Sequence, residues 1–306
     1  MTTEFLPSFL MSEIYFCSKH RPGFLPERLR AAIEDGFFQC AEIGMPASDK
    51  DACSIGAMVR DSKIGLIQWM TEYIDLYELD ISTLDEPRRL HSVEQIKSQL
   101  PAAVRCGASS IAVICGADPG EYHRNAGFDA FLKSMTAIIR AATDAGLSVL
   151  LEPLDRFAHK KRLLGPTKEV VPLLEKLHLL GAPLWMAFDS AHAALNEECL
   201  THSLQRAHPF LRHIHLSNAV LDKDDQDYGD WHLPPGSPGF LTKDTAASIL
   251  RTLSNEDTTC KTRLTVAVEA RGGHGVNEDL LMRQTADFLK AVLADVHDDT
   301  KPVIVE

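Results

Sequence analysis

Leu147 to Phe157, LSVLLEPLDRF, is the stretch that decides the fold. It reads as a short buried strand, Leu147 to Leu151, that ends on a carboxylate, Glu152, and breaks at Pro153. A short run of Val and Leu closed by proline is the pattern of a parallel strand covered on both faces. Three later apolar runs end in the same way: Leu184 to Phe188 on Asp189, Leu211 to Ile214 on His215, and Leu264 to Val268 on Glu269. A polar side chain at the exit of each strand points at whatever lies above the sheet. Together the four describe one divalent-metal site at the mouth of a barrel.

Working outward, the upstream chain supplies the other repeats. Ser8 to Phe16 is a candidate strand, Leu25 to Asp35 a helix stopped by Gly36, and Phe37 to Met45 a second strand carrying Glu42 near its end. Ser48 to Lys63 is read as helix, Ile64 to Met70 as the third strand, and Ser109 to Gly116 as the fourth. The intervening YIDLYELDIST has no clear period. Glu86 to Arg105 follows as a helix that Pro101 should kink or divide. Phe128 to Ala145 has the cleanest helical period, with Phe128, Phe131, Leu132, Met135, Ile138, Ile139 and Ala142 on one face. Downstream helices are expected over Thr167–Leu180, Cys199–His208, Lys243–Leu253 and Asn277–Ala294. Strands alternating with helices imply a parallel sheet, and eight repeats fit closure.

The expected architecture is therefore α/β: a single (βα)8 TIM-barrel domain over 1–306, with its active site at the C-terminal ends of the strands. Two features stand outside the repeats. One is the long loop Ala219 to Phe240, whose polar first part and proline-stiffened second part suit a lid, with Trp231 and His232 nearest the ligand. The other is the tail at 295–306, which is fit to dock on the barrel or on a partner subunit and leaves a homo-oligomer open.

Composition narrows the function classes. A net charge of −12 with no basic run argues against a nucleic-acid partner. Seven cysteines, never spaced Cys-x-x-Cys, suggest a reducing, cytoplasmic setting. The N-terminus lacks the basic flank and apolar run of a signal peptide, and no stretch is long enough to span a bilayer.

The chemistry lies in the strand-exit residues. Glu152, Asp189, His215 and Glu269 form a hard, oxygen-rich ligand set, which suits one Mn²⁺, or Mg²⁺ or Co²⁺, better than structural zinc. Any one of them alone would be read as a helix cap or loop anchor. Four at equivalent positions on consecutive strands argue for the metal. His213 shares the inward side of its strand with His215 but lies one layer deeper, so it is assigned to the interior. His192, just past Asp189, is a substrate contact or a solvated loop residue, and its nearness to the site favours the former. Arg156 could hold substrate oxygens or orient a carboxylate. Glu42 could be a substrate ligand or a structural partner for a helix. His232 and His274 lie on loops near the mouth, as substrate contacts or surface histidines. Gly272, Gly273 and Gly275 could offer amides to a phosphate or only shape a turn.

These residues resemble the xylose-isomerase-like barrels, which include sugar isomerases and ketose 3-epimerases. The matching pieces are LEPLDRF at 151–157, FDSAH at 188–192, HIHLSN at 213–218, HLPPGSPG at 232–239 and VAVEA at 266–270. They cover the C-terminal half; the first half matches as a strand–helix succession. The resemblance implies that Glu152, Asp189, His215 and Glu269 are metal ligands and that His192 and Arg156 lie on the substrate side. It departs in two places: ketose 3-epimerases carry a glutamate where this chain has Ala158 and an arginine where it has Leu221.

The function expected is a metal-dependent isomerase or epimerase of carbohydrate metabolism, acting on a small sugar or sugar derivative. Glu152 and Glu269 would move the proton on the carbon next to a carbonyl through an enediolate. A lyase or dehydratase on the same barrel is the alternative, since it would form the same enediolate and then expel a β-substituent. An apurinic endonuclease would need more metal ligands and a basic surface, and a binding module would not need two opposed glutamates.

Overall fold

The computed structural model describes residues 3–254 and 262–296. Eight parallel strands close into a ring: β1 (Glu4–Leu10), β2 (Cys40–Ile43), β3 (Gly65–Trp69), β4 (Ser110–Val113), β5 (Ser148–Leu151), β6 (Leu184–Asp189), β7 (Leu211–Val220) and β9 (Arg263–Glu269). Closure runs through β1, which pairs with β2 on one side and with β9 on the other, and through β7, which pairs with both β6 and β9. A further strand, β8 (Gly229–Leu233), pairs antiparallel with the far end of β7 and stands outside the ring.

The organising stretch behaves as a strand buried on both faces must. Val149 and Leu151 enter the large core between the barrel and its helices, while Leu150 faces inward with Leu10, Cys40, Ile67, Trp69, Ala112, Ala187 and Ala267. Because side chains alternate along a strand, the residue two after each inward position also points inward. Leu150 leads to Glu152, Ala187 to Asp189 and Ala267 to Glu269. The apolar interior layer and the polar mouth are thus the same alternation read one step apart.

The helical shell follows its punctuation. α2 (Phe24–Asp35) ends at Gly36 with φ +75°, a left-handed turn that glycine adopts without a side-chain clash. Ser48 caps α3 (Asp49–Ser62) by accepting from the Asp51 amide at 3.1 Å, and Asp85 does the same for α5 (Glu86–Arg105) from the Arg88 amide. α6 (Arg124–Asp144) buries Phe131, Met135, Ile138, Ile139 and Ala142. α7 (Thr167–Leu179), α9 (Leu200–Ala207), α10 (Lys243–Ser254) and α11 (Glu278–Val296) complete the shell.

Four expectations need correction, and one unplaced stretch gains a structure. The first strand starts at Glu4 and stops at Leu10, because Met11–Ile14 closes into one helical turn, α1. Pro101 does not divide α5, which runs unbroken through it. YIDLYELDIST holds part of a short helix, α4 (Thr71–Leu76). β7 does not end at His215 but continues to Val220, and the supposed loop 219–240 contains β8. The continuation and β8 have one cause: past the ring, each is the other's hydrogen-bonding partner. Of the tail at 295–306, residues 297–306 lie outside the described residues. No described helix is long and apolar enough to cross a membrane.

Candidate metal centre

Glu152, Asp189, His215 and Glu269 converge at the C-terminal mouth, each offering one ligand atom, with all four atoms within 4.8 Å of one another. His215 Nδ1 lies 3.1 Å from Glu152 Oε1, 3.2 Å from Glu269 Oε2 and 3.9 Å from Asp189 Oδ2. All four residues are buried. Asp189 divides its work: Oδ1 caps the short helix α8 (Ser190–Leu195) by accepting from the His192 amide, and Oδ2 turns to the cluster. The capping role and the ligand position coexist on one carboxylate.

The electrostatics are those of a cation site. Burial pushes the Asp189 carboxyl up to about 7, with Glu269 and Glu152 adding to the rise and His192 and His215 opposing it. Burial works against a charged His215, yet Glu269 and Glu42 outweigh it and raise its pKa well above the ordinary value. The raised Asp189 and His215 hold protons that a divalent ion would displace. The donor set of three carboxylates and one imidazole therefore fits a hard divalent ion.

Glu42 is not at the mouth. It is fully buried in the barrel axis, where Oε1 accepts from Ser8 Oγ at 2.6 Å and Oε2 accepts from Trp69 Nε1 at 2.7 Å. The same Oε2 lies 2.9 Å from His215 Nε2 and 3.1 Å from His213 Nε2. With every oxygen occupied inside the barrel, Glu42 has none to give a substrate. Its position behind the histidine is that of an outer carboxylate that fixes a ligand's tautomer and ring angle. Trp69 stacks on the His215 ring at 4.7 Å between centroids, holding it from a second side. His213 stays interior, as expected, and its Nδ1 meets Thr265 Oγ1 at 2.6 Å. A polar column thus runs along the barrel axis from Thr265 through His213 and Glu42 to His215.

The other assigned residues divide. His192 is buried beside the cluster, with Nδ1 3.3 Å from Asp155 and Nε2 3.8 Å from Asp230. Burial disfavours its charge, but Asp189 and Asp155 prevail and lift its pKa to about 10. His232 places Nδ1 2.9 Å from Glu269 Oε1, opposite the His215 side of that carboxylate. Arg156 does not reach the mouth. Its guanidinium holds both oxygens of Glu169 on α7, at 2.9 and 2.8 Å, and donates to the Leu163 carbonyl. Of its two sequence readings, the carboxylate-orienting one matches this pairing with Glu169. His274 is exposed, and Trp231 turns outward, half exposed, against the His159 ring at 4.4 Å. The β8 alternation sends Asp230 and His232 inward and Trp231 out. In the glycine loop, the Gly272 amide donates to Glu13 O and the Gly273 carbonyl accepts from Val276, so the segment shapes a turn.

Several neighbours escaped the sequence reading. Ser217 Oγ lies within hydrogen-bonding distance of Asp189 Oδ2 and, at 2.9 Å, of Glu269 Oε2, and its hydroxyl bridges two members of the cluster. Its signal was present: His213, His215 and Ser217 are successive inward positions of one strand, had the strand been carried past His215. Asp230 and Lys160 are linked at 3.2 Å beside His232. Among the described residues, two smaller groups are also close enough to hold a cation: Glu42 with His213 and His215, and Glu13 with His232 and Glu269, though Arg271 already engages Glu13 at 2.5 Å.

Around the rim of this small cavity, ≈ 90 Å³, the cations are matched one to one by carboxylates. Lys19 meets Glu72 at 3.0 Å, Lys160 meets Asp230 at 3.2 Å, Arg162 meets Asp75 at 2.5 Å, and Arg271 meets Glu13 at 2.5 Å.

Comparison with known proteins agrees with this architecture. No curated protein matches the chain. Among solved structures, the D-psicose 3-epimerase of Clostridium cellulolyticum H10, determined with D-tagatose, superposes with a TM-score of 0.68 at 15% identity, covering 95% of this chain and 99% of that one. The 3-keto-D-glucoside 4-epimerase of E. coli gives 0.66 at 17% identity, covering 94% and 99%. The IolI protein, determined with a zinc atom, gives 0.70 at 14% identity, covering 96% and 99%. At these identities the likeness is one of fold. The family model for the xylose isomerase-like TIM barrel matches residues 29–292, and the chain belongs to that family.

Proposed function

We propose that the chain is a divalent-metal-dependent sugar isomerase or epimerase, with Glu152, Asp189, His215 and Glu269 as metal ligands. The observation that carries the reading is the convergence of those four ligand atoms within 4.8 Å. A bound divalent ion, Mn²⁺ first among the candidates, would supply Lewis-acid charge to a sugar's adjacent carbonyl and hydroxyl oxygens. Glu152 and Glu269 come from β5 and β9, with β6 and β7 between them in the ring, so they stand on opposed sides of the substrate position. One takes the proton from the carbon beside the carbonyl and the other returns it. Return to the opposite face of the same carbon epimerises; return to the neighbouring carbon isomerises. His192 and His232, buried beside these carboxylates, orient the sugar hydroxyls, and burial of the whole group keeps water away from the exposed carbanion.

The rim points to an uncharged substrate. Each of the four rim cations is already neutralised by a carboxylate, so a phosphate group would have to displace one. Relatives in the fold include proteins named for D-psicose, 3-keto-D-glucosides and L-ribulose, and a neutral sugar or sugar derivative is the class we assign.

A lyase is the second reading, because the sugar-holding glutamate and arginine of the ketose 3-epimerases are Ala158 and Leu221 here. Ala158 packs against the apolar group of Ala191, Leu195 and Ala219, which offers no hydrogen bond to a hydroxyl. Metal content of the purified protein, followed by solvent deuterium incorporation into ketoses and 3-oxo-sugars, separates the readings. Exchange without elimination is the expected result. Loss of water or an aglycone identifies the lyase, and no exchange with any sugar overturns both.

A further inference from the structure

The opposite end of the barrel carries a cavity that the metal chemistry does not use. It opens at the N-terminal mouth, ≈ 580 Å³, between Leu6, Gly65, Ser110, Ser148, Trp185 and Arg212. TIM-barrel interiors are normally filled by branched apolar side chains. Here the lowest inward positions are glycine on β3, serine on β4 and serine on β5, too small to meet across the axis. The barrel floor is therefore hollow, up to Ile67 and Leu150.

Arg212 dominates the chemistry of this floor. Its guanidinium lies 3.6 Å above the Trp185 ring, which fixes its plane and leaves the N–H edge as the reactive part. Among the described residues it makes one hydrogen bond, from Nη1 to the Leu211 carbonyl at 2.7 Å, and no ion pair. Burial pulls its pKa down, and no carboxylate among the described residues acts against that. An arginine remains charged all the same. Among the described residues no carboxylate lines the cavity; Lys63 and Arg263 add positive charge at its edge, Arg263 being paired with Glu4 at 2.9 Å. Ser110 and Ser148 add hydroxyl donors from two further strands. In a chain of net charge −12, this is a cationic, donor-rich pocket.

We propose that the N-terminal mouth binds a phosphate oxyanion, free or as a small phosphate monoester, gripped by the Arg212 guanidinium with Ser110 and Ser148 as hydroxyl donors. The donor set is what phosphate asks for: a planar fork on one side and rotatable hydroxyls on the other. The axial layer of Cys40, Ile67, Ala112, Leu150, Ala187 and Ala267 sets the site apart from the proposed metal centre, crossed by the column from Thr265 through His213 and Glu42 to His215.

Calorimetric titration with inorganic phosphate tests it, alongside glycerol 2-phosphate for a monoester and malonate for a carboxylate dianion. Saturable binding of either phosphate compound, weaker binding of malonate, and an affinity unchanged by chelator are expected. Arg212→Gln should weaken phosphate binding by about tenfold or more, the usual loss with a charge-assisted hydrogen-bonding partner. Ser148→Asp places a carboxylate at an exposed edge of the pocket, leaves Arg212 in place and should abolish binding, so the test stands even where Arg212→Gln does not fold. Absence of saturable phosphate binding to wild type overturns the proposal. So do undiminished binding to both variants and binding that requires the metal ion, which would put the anion at the other mouth. If phosphate alone binds, the ligand is the free ion; tighter binding of the monoester makes it the ligand.

Discussion

At the C-terminal mouth Lys19, Lys160, Arg162 and Arg271 each face a carboxylate, whereas at the N-terminal mouth Arg212 faces none among the described residues. The cavities differ in the same sense: ≈ 90 Å³ and closely lined above, ≈ 580 Å³ and hollow below. The same eight strands build both. What separates them is the size and charge of the inward residues at successive layers, small and neutral at the floor, carboxylate and imidazole at the top. The contrast teaches that a barrel's two ends can hold opposite charge preferences only because an apolar layer lies between them. The axial column through Glu42 carries a polar path across it.

The largest effect should come from the top. Glu152→Gln and Glu269→Gln remove a ligand charge and a proton carrier together, and turnover should fall by at least ~100-fold, the usual scale for a general base. Steady-state kinetics on the substrate found by deuterium exchange measure this, and activity within about tenfold of wild type would remove that residue from the chemistry.

Loss of the ion is next. Asp189→Ala and His215→Ala should purify without stoichiometric metal. Chelator should lower the melting temperature of the wild type and leave these variants where they are, since only a bound ion stabilises by mass action. Equal lowering in all three would break the ligand assignment. Acid should also release the ion: Asp189, up at about 7, and His215, raised well above its ordinary value, are protonated in the ion-free protein as pH falls. Protons and metal compete for the same atoms, so affinity rises with pH through neutrality. A pH-independent metal affinity between pH 6 and 8 would contradict that competition.

Glu42→Gln sharpens the comparison, because it alters the column that joins the two ends while leaving every mouth residue in place. Metal affinity should weaken by about 10- to 100-fold, the usual loss when an outer carboxylate behind a metal histidine is changed. Unchanged affinity by metal-buffered titration would reduce Glu42 to barrel packing. The smallest effect concerns the β7–β8 excursion. Substrate and metal together should slow proteolysis between Asp222 and Asp230; equal rates with and without them would mean the segment does not close over the site.

Much of this was legible because strand alternation and strand exits are local properties. Leu150 with Glu152 and Ala267 with Glu269 sit two apart, and any reader who places the strand also places the carboxylate. What could not be read were contacts fixed by distant partners. Arg156 finds Glu169 thirteen residues on, across a turn, and nothing in the intervening sequence marks that pairing. Glu42 looked like a mouth residue because β2 is short, yet its strand is set deeper in the barrel, opposite Ser8 and Trp69. β8 was hidden because Gly229, Asp230 and Trp231 have no apolar alternation; its pairing with β7 supplies what its composition lacks. The Met11–Ile14 turn misled for the opposite reason, since an apolar run that continues past a strand has no mark to show where the backbone changes course.

Asn218 donates to the carbonyls of Pro234 and Gly236 and accepts from the Leu241 amide, each at 2.8 Å, and a Cβ at Gly239 would fall 2.1 Å from its Oδ1. The chain therefore leaves the barrel and returns to it at one fastened point. Between departure and return it carries Asp230 and His232, yet supplies no strand of the ring and none of the four converging ligands. It is a cassette. Descendants of this sequence could exchange the segment from Leu221 to Leu233 for another of similar span and acquire a new set of side chains beside the cluster in a single recombination event, while the four converging residues and the barrel pass through unaltered.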